Sequence, residues 1–210
     1  MFKDKFFYTL YTCGLFCPIL LFPVEKDIIP LLFSHLMPLE NGMVHIYTGT
    51  GKGKTTAALG LALRAIGAGL QVYMIQFMKG NPYSELESIK SFPTFTIKQF
   101  GREEFVSKEN PATIDIQYAR QGFKHAHDII TQGQHDLVIL DEINVAMDYT
   151  LISIPEVLSL IENKPAHVEL VLTGRYAPPQ IVKIADLVTE MLEIKHPYQQ
   201  GILARKGIDY

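Results

Sequence analysis

The sequence predicts an α/β fold, a doubly wound, mostly parallel sheet with helices on both faces. Three observations predict it. Short apolar runs alternate with segments of helical periodicity along most of the chain. One strand-to-helix junction is the glycine-rich run Thr48-Gly49-Thr50-Gly51-Lys52-Gly53-Lys54-Thr55-Thr56. A later apolar run ends in two carboxylates, Asp141 and Glu142. In such a sheet the crossovers are right-handed, and ligands sit at the carboxyl ends of the strands, where Lys54, Glu142 and Arg175 all fall.

The elements follow in order. Met43 to Tyr47 is a short apolar strand, and the Ala/Leu-rich stretch from Lys54 to Gly67 is a helix. Leu70 to Phe77 is apolar enough for a buried parallel strand and ends in the turn Lys79-Gly80-Asn81-Pro82. Ser84 to Ser91 makes a short helix, and Phe95 to Phe100 a strand closed by Gly101. A charged loop from Arg102 to Pro111 precedes a long helix from Thr113 to Gln132. There Ile116, Ala119, Phe123, Ala126, Ile129 and Ile130 recur at helical spacing. The strand ending in Asp141-Glu142 comes next, then a helix from Ile154 to Glu162 and a strand from Val168 to Leu172 that leads into Thr173-Gly174-Arg175. Pro179 to Ile184 is a short helix, and Asp186 to Ile194 a last strand.

The glycine run has the context of a phosphate-binding loop, with an apolar strand before it and a helix after it. Its glycines let backbone N–H groups approach phosphate oxygens, and the helix N-terminus adds unpaired donors and partial positive charge. Lys54 is placed to contact phosphate oxygens, and the Thr55 hydroxyl to contact Mg²⁺. The usual frame puts its first glycine where this chain has Thr48, and Lys52 is an added lysine inside the loop. That second charge suits a triphosphate held as a unit. An acid at the end of a buried strand beside such a loop holds Mg²⁺ directly or through water, which makes Asp141 and Glu142 metal candidates. A nucleoside triphosphate is therefore the expected ligand.

The chain has 210 residues and a net charge of −3, so no general basic surface advertises nucleic acid. Its two cysteines, Cys13 and Cys17, lie near the start, which leaves the region from Met43 onward without a disulfide framework, a Cys metal site or a thiol nucleophile. His125 and His127 lie two apart on one helix and face different directions, a poor arrangement for a shared metal. Residues 1–42 differ from residues 43–210. Phe6 to Val24 is nearly all apolar and follows Lys3 and Lys5. It reads as a membrane anchor with contact through residues 6–24, as a signal peptide, or as residues upstream of a true start at Met43 or near Met37. The third reading is preferred, since a phosphate-loop strand normally starts close to its domain's N-terminus. ATP-dependent chemistry argues for the cytoplasm.

From residue 43 onward the chain resembles a family, the ATP:corrinoid adenosyltransferases with a phosphate loop (cob(I)yrinic acid a,c-diamide adenosyltransferases). The resemblance is carried by Tyr-Thr-Gly-x-Gly-Lys-Gly-Lys-Thr-Thr-Ala-Ala at 47–58, Arg-Ala-x-Gly at 64–67, Gln-Phe-x-Lys-Gly at 76–80 and Leu-Asp-Glu-Ile at 140–143. It continues through Thr-Gly-Arg at 173–175, Ala-Asp-Leu-Val-Thr-Glu-Met at 185–191, Lys-His-Pro-Tyr at 195–198 and the closing Gly-Ile-Asp-Tyr. It implies a sheet of the RecA-like type found in P-loop NTPases. It also implies transfer of the 5′-deoxyadenosyl group of ATP to Co(I) of a corrinoid with release of triphosphate, in adenosylcobalamin biosynthesis or salvage. ATP would lie reversed along the loop compared with kinases, exposing C5′ to cobalt. A homodimer and a flavoprotein reductase as electron donor are further expectations.

That chemistry needs no protein nucleophile, because the corrinoid supplies it. Lys54, Lys52 and Glu142 are the expected catalytic residues. Gly49, Thr50, Gly51, Lys52, Gly53, Lys54, Thr55, Thr56, Arg64 and Arg175 are expected to contact nucleotide, with Thr55 and Glu142 as metal ligands and Asp141 behind them. Lys79 and Glu85 are candidates for ribose or corrinoid contact. In some family members a Phe and a Trp on the charged loop strip the lower ligand of the corrinoid. Phe105 matches the Phe, but Ser107 stands at the Trp position and the chain has no Trp. Two other functions fit a phosphate loop: a kinase or ATPase, and a noncatalytic nucleotide-binding regulator.

Overall fold

A computed structural model describes residues 39–210; the expectations placed on residues 6–24, Cys13, Cys17 and Met37 lie outside them. Six strands form one sheet, all neighbours parallel: β1 (Val44–Thr48), β2 (Val72–Phe77), β3 (Phe95–Phe100), β4 (Leu137–Asp141), β5 (Glu169–Thr173) and β6 (Leu187–Glu190). Their spatial order is β3-β2-β4-β5-β1-β6, so β5 separates the strand before the glycine run from the strand that ends in carboxylates. The helices are α1 (Lys54–Gly67), α2 (Ser84–Ser88), α3 (Thr113–Gln132), α4 (Ile143–Asp148), α5 (Ile154–Glu162) and α6 (Pro179–Ile184).

Strand side chains alternate between faces, and the two apolar clusters follow that rule. Val72, Met74, Leu137, Ile139 and Val171 pack with Ala58, Ala62 and Ala65 of α1. Tyr73, Ile75, Phe77, Val138, Leu140, Leu170 and Leu172 pack on the other side with α3, α4, α5 and Ile181 of α6. The three buried alanines of α1 recur along one face of the helix, and their small side chains let it lie close to the sheet. α3 begins where the Asp115 carboxylate accepts from the backbone N–H of Ala112 at 3.0 Å, and it ends at Gly133, which takes the left-handed conformation at φ 61°.

Several expected bounds are corrected: the strand expected from Leu70 starts at Val72, and the helix expected to reach Ser91 ends at Ser88. The last strand stops at Glu190 and does not run on to Ile194. Its register with β1 ends at Thr48↔Glu190, where β1 itself ends and no further ladder partner is available. α4 is an addition: it follows the strand end directly and is too short for its periodicity to register in the sequence.

Candidate active site

The strand alternation decides which polar residues meet. On β2, Gln76 continues the row of Val72 and Met74. On β4, Asp141 continues Leu137 and Ile139, and on β5 Thr173 continues Val171. All three therefore emerge at the carboxyl end of the sheet on the α1 side, beneath the glycine loop. Gln76 and Asp141 are direct ladder partners.

Asp141 is wholly buried and is the hub. Its Oδ1 accepts from the Thr55 hydroxyl at 2.8 Å and the Thr173 hydroxyl at 2.6 Å. Its Oδ2 accepts from Lys79 Nζ at 2.6 Å and Gln76 Nε2 at 3.3 Å. Four donors use the whole acceptor capacity of a carboxylate. Thr173 works twice, because its Oγ1 also accepts from the backbone N–H of Glu142 at 3.0 Å. That bond supports Glu142 in the left-handed region at φ 63°, an uncommon conformation for a residue with a side chain. The Glu142 carboxylate is thereby turned toward the cleft, where burial and then repulsion from Asp141 push its pKa up.

The glycine loop wraps over this hub. Gly53, at φ 112°, caps α1 in a conformation that disfavours other residues. A Cβ on Gly51 would lie 2.7 Å from the Leu192 carbonyl oxygen, and the Gly51 N–H donates to the Met191 carbonyl at 2.7 Å. Lys54 is buried, and its ammonium donates to the carbonyls of Gly49 at 2.9 Å and Gly51 at 2.6 Å. Burial lowers its pKa, and the nearby Arg175 charge adds to this, while Glu142, Asp141 and Glu193 act against it. Lys52 turns the other way and forms an ion pair with Asp209 of the C-terminal tail.

The cleft above the loop has a volume of about 670 Å³, within the range of small-molecule sites. Its floor includes Gly51, Lys52, Gly53, Lys54, Thr55 and Thr56. Lys79, Glu85, Glu142 and Arg175 stand at its sides, and residues of the tail from His196 to Tyr210 form its roof. Thr50 sits exposed on the loop beside it. Gly49, buried within the loop, and Thr50 are outside the lining, and two further expected contacts are not brought in. Arg64 is exposed in the last turn of α1, away from the lining, and Phe105 is fully exposed on the charged loop, with only its neighbour Val106 packed on the core. Gln76, Thr173 and Asp209 are site residues that the sequence motifs contained but gave no role in the site. A polar residue inside a fully buried strand was the available signal for Gln76.

The donor set suits a hard, oxygen-liganded cation: a threonine hydroxyl, the Glu142 carboxylate and a saturated carboxylate behind them. Among the described residues no group of three or more His, Cys, Asp or Glu side chains gathers as a metal site.

The family model for ATP:corrinoid adenosyltransferase BtuR/CobO/CobP matches residues 40–210. The chain belongs to this family. Among its adenosyltransferase relatives, the corrinoid adenosyltransferase of Sinorhizobium sp is 35% identical over 174 residues, covering 81% of each chain. The corrinoid adenosyltransferase of Pseudomonas aeruginosa is 34% identical over 172 residues, covering 81% of this chain and 85% of that one. An uncharacterized Nostoc sp. protein is 38% identical over 176 residues, which is 77% of this chain and 47% of that protein. Within this adenosyltransferase, the loop at 51–56, Lys79, Glu142, Arg175 and the segments at 196–198 and 207–210 meet around one cleft, whereas the Arg-Ala-x-Gly segment at 64–67 and the segment at 185–191 do not line it.

Proposed function

We propose that the chain transfers the 5′-deoxyadenosyl group of ATP to reduced cobalt of a corrinoid, releasing triphosphate. The observation that carries this reading is convergence. Family signatures far apart in sequence line a single cleft built on a phosphate loop. Co(I) of the corrinoid substrate attacks C5′, the C5′–O bond breaks, and its electron pair leaves with the triphosphate. The protein then has two tasks: aligning C5′ with cobalt and stabilising charge on the departing group.

Lys54 would exchange the Gly49 and Gly51 carbonyls for phosphate oxygens, and Lys52 would exchange Asp209 for the same ligand. Arg175 lies at the cleft wall for phosphate or ribose. Thr55 and Glu142 would hold Mg²⁺, with Asp141 orienting Thr55 from behind; when bound, the ion neutralises phosphate charge. Phe105 is free to press on the corrinoid, because it is not used in packing. A homodimer, a flavoprotein electron donor and a cytoplasmic setting complete the proposal. Among the described residues no helix is long and apolar enough to cross a membrane.

The test is anaerobic incubation with ATP, Mg²⁺ and chemically reduced corrinoid, followed by absorption spectroscopy. A light-sensitive Co–C bond is expected. ADP formation with cobalt unaltered would favour a kinase or ATPase, and binding without turnover a regulator.

A further inference from the structure

Lys79 was expected from the sequence to contact ribose or corrinoid, yet its ammonium is engaged with Asp141, in the corner where a metal would be needed. It follows Met78, a non-glycine residue at φ 56°, at the end of β2. The side chain is 13% exposed, and Nζ lies 2.6 Å from Asp141 Oδ2 and 3.4 Å from Thr55 Oγ1. The ring centroid of Tyr83 is 5.2 Å away. The Thr55 hydroxyl gives its one hydrogen to Asp141 Oδ1, so it is an oxygen lone pair that faces the ammonium. A hard divalent cation at this corner would seek the same lone pair and the same carboxylate.

Two neighbouring carboxylates and a hydroxyl, left to themselves, attract a free divalent cation. A lysine in their midst cancels one negative charge and fills the space. We propose that Lys79 is a built-in counter-cation, an ammonium that occupies the corner between Thr55 and Asp141 and keeps free divalent metal out until a nucleotide brings metal together with phosphate oxygens. This role presupposes the metal–triphosphate reading of the cleft. It makes metal loading conditional on nucleotide. It also gives Asp141 a partner in the empty enzyme, where an unpaired buried carboxylate would be costly.

The full chain and its Lys79→Met variant, with neither ATP nor corrinoid present, are titrated with Mn²⁺, and free Mn²⁺ is followed by electron paramagnetic resonance. The variant is expected to bind one Mn²⁺ at least ten times more tightly than the wild type. Adding Asp141→Asn should abolish that gain, and Lys79→Arg should keep the weak wild-type binding. Equal affinity in the wild type and Lys79→Met would overturn the proposal. If Lys79→Met does not fold, Lys79→Gln takes its place with thermal melting as the readout. A midpoint raised by Mn²⁺ in the variant alone supports the role, and equal responses overturn it. Because no substrate is present, this Mn²⁺ pattern in a protein that fails to adenosylate corrinoid would defeat the proposed reaction and leave the role of Lys79 standing.

Discussion

Single residues in this site are held by shared partners, so their substitutions should separate chemistry from stability. Lys54 donates to two carbonyls of its own loop, and Lys54→Ala should lower kcat/KM by about 10²-fold or more, the scale for losing one stabilising donor of a transition state. Its melting temperature should change little, and an activity assay beside a thermal melt reads both. Thr173 is the opposite case. Thr173→Val removes a donor to Asp141 and the acceptor for the Glu142 N–H, and should cost about 1–3 kcal/mol of folding stability in urea denaturation. Phe105→Ala should leave stability within about 0.5 kcal/mol, as exposed substitutions do. It should nonetheless slow turnover when cob(II)alamin and a reductant replace pre-reduced corrinoid; unchanged turnover would remove Phe105 from the account.

At the scale of elements, packing against the sheet and helix-end chemistry dominate. Ala62→Leu would drive a larger side chain into the α1–sheet contact, with an expected loss of about 1–3 kcal/mol measured by chemical denaturation. The start of α5 carries the Glu156 carboxylate, bonded by Arg120 and by Ser153, and these partners lower its pKa from the usual 4.5 to about 2. A depressed carboxylate stabilises the fold above its unfolded pKa, and that stability is lost as pH falls from about 4.5 toward 2. Thermal melts across that window should fall less steeply for Glu156→Gln than for the wild type. The bounds of α1, α3, α5 and α6 were legible in the sequence because periodicity, glycine stops and proline starts all act locally. The end of β6 was not, since its length depends on where its partner β1 stops.

Across the whole molecule, what the sequence left open is long-range. Phosphate loop, acidic strand end and Arg175 were readable as motifs, and parallel topology brings them to the carboxyl end of the sheet. The return of the C-terminal tail over the loop was not readable. Met191 accepts from Gly51, the Ser84 hydroxyl donates to the Tyr210 carbonyl, and Asp209 pairs with Lys52, contacts that no local pattern encodes. That pair should compete with bound phosphate, so Asp209→Asn should bind tripolyphosphate several-fold more tightly than the wild type by calorimetry. The proposed reaction is displacement at carbon, with three phosphates leaving as one group. Phosphorus NMR of a single anaerobic turnover with ATP, Mg²⁺ and Co(I) corrinoid tests it most directly. Intact tripolyphosphate is expected in step with adenosylated corrinoid, and ADP with orthophosphate or a phosphorylated acceptor would overturn displacement at carbon.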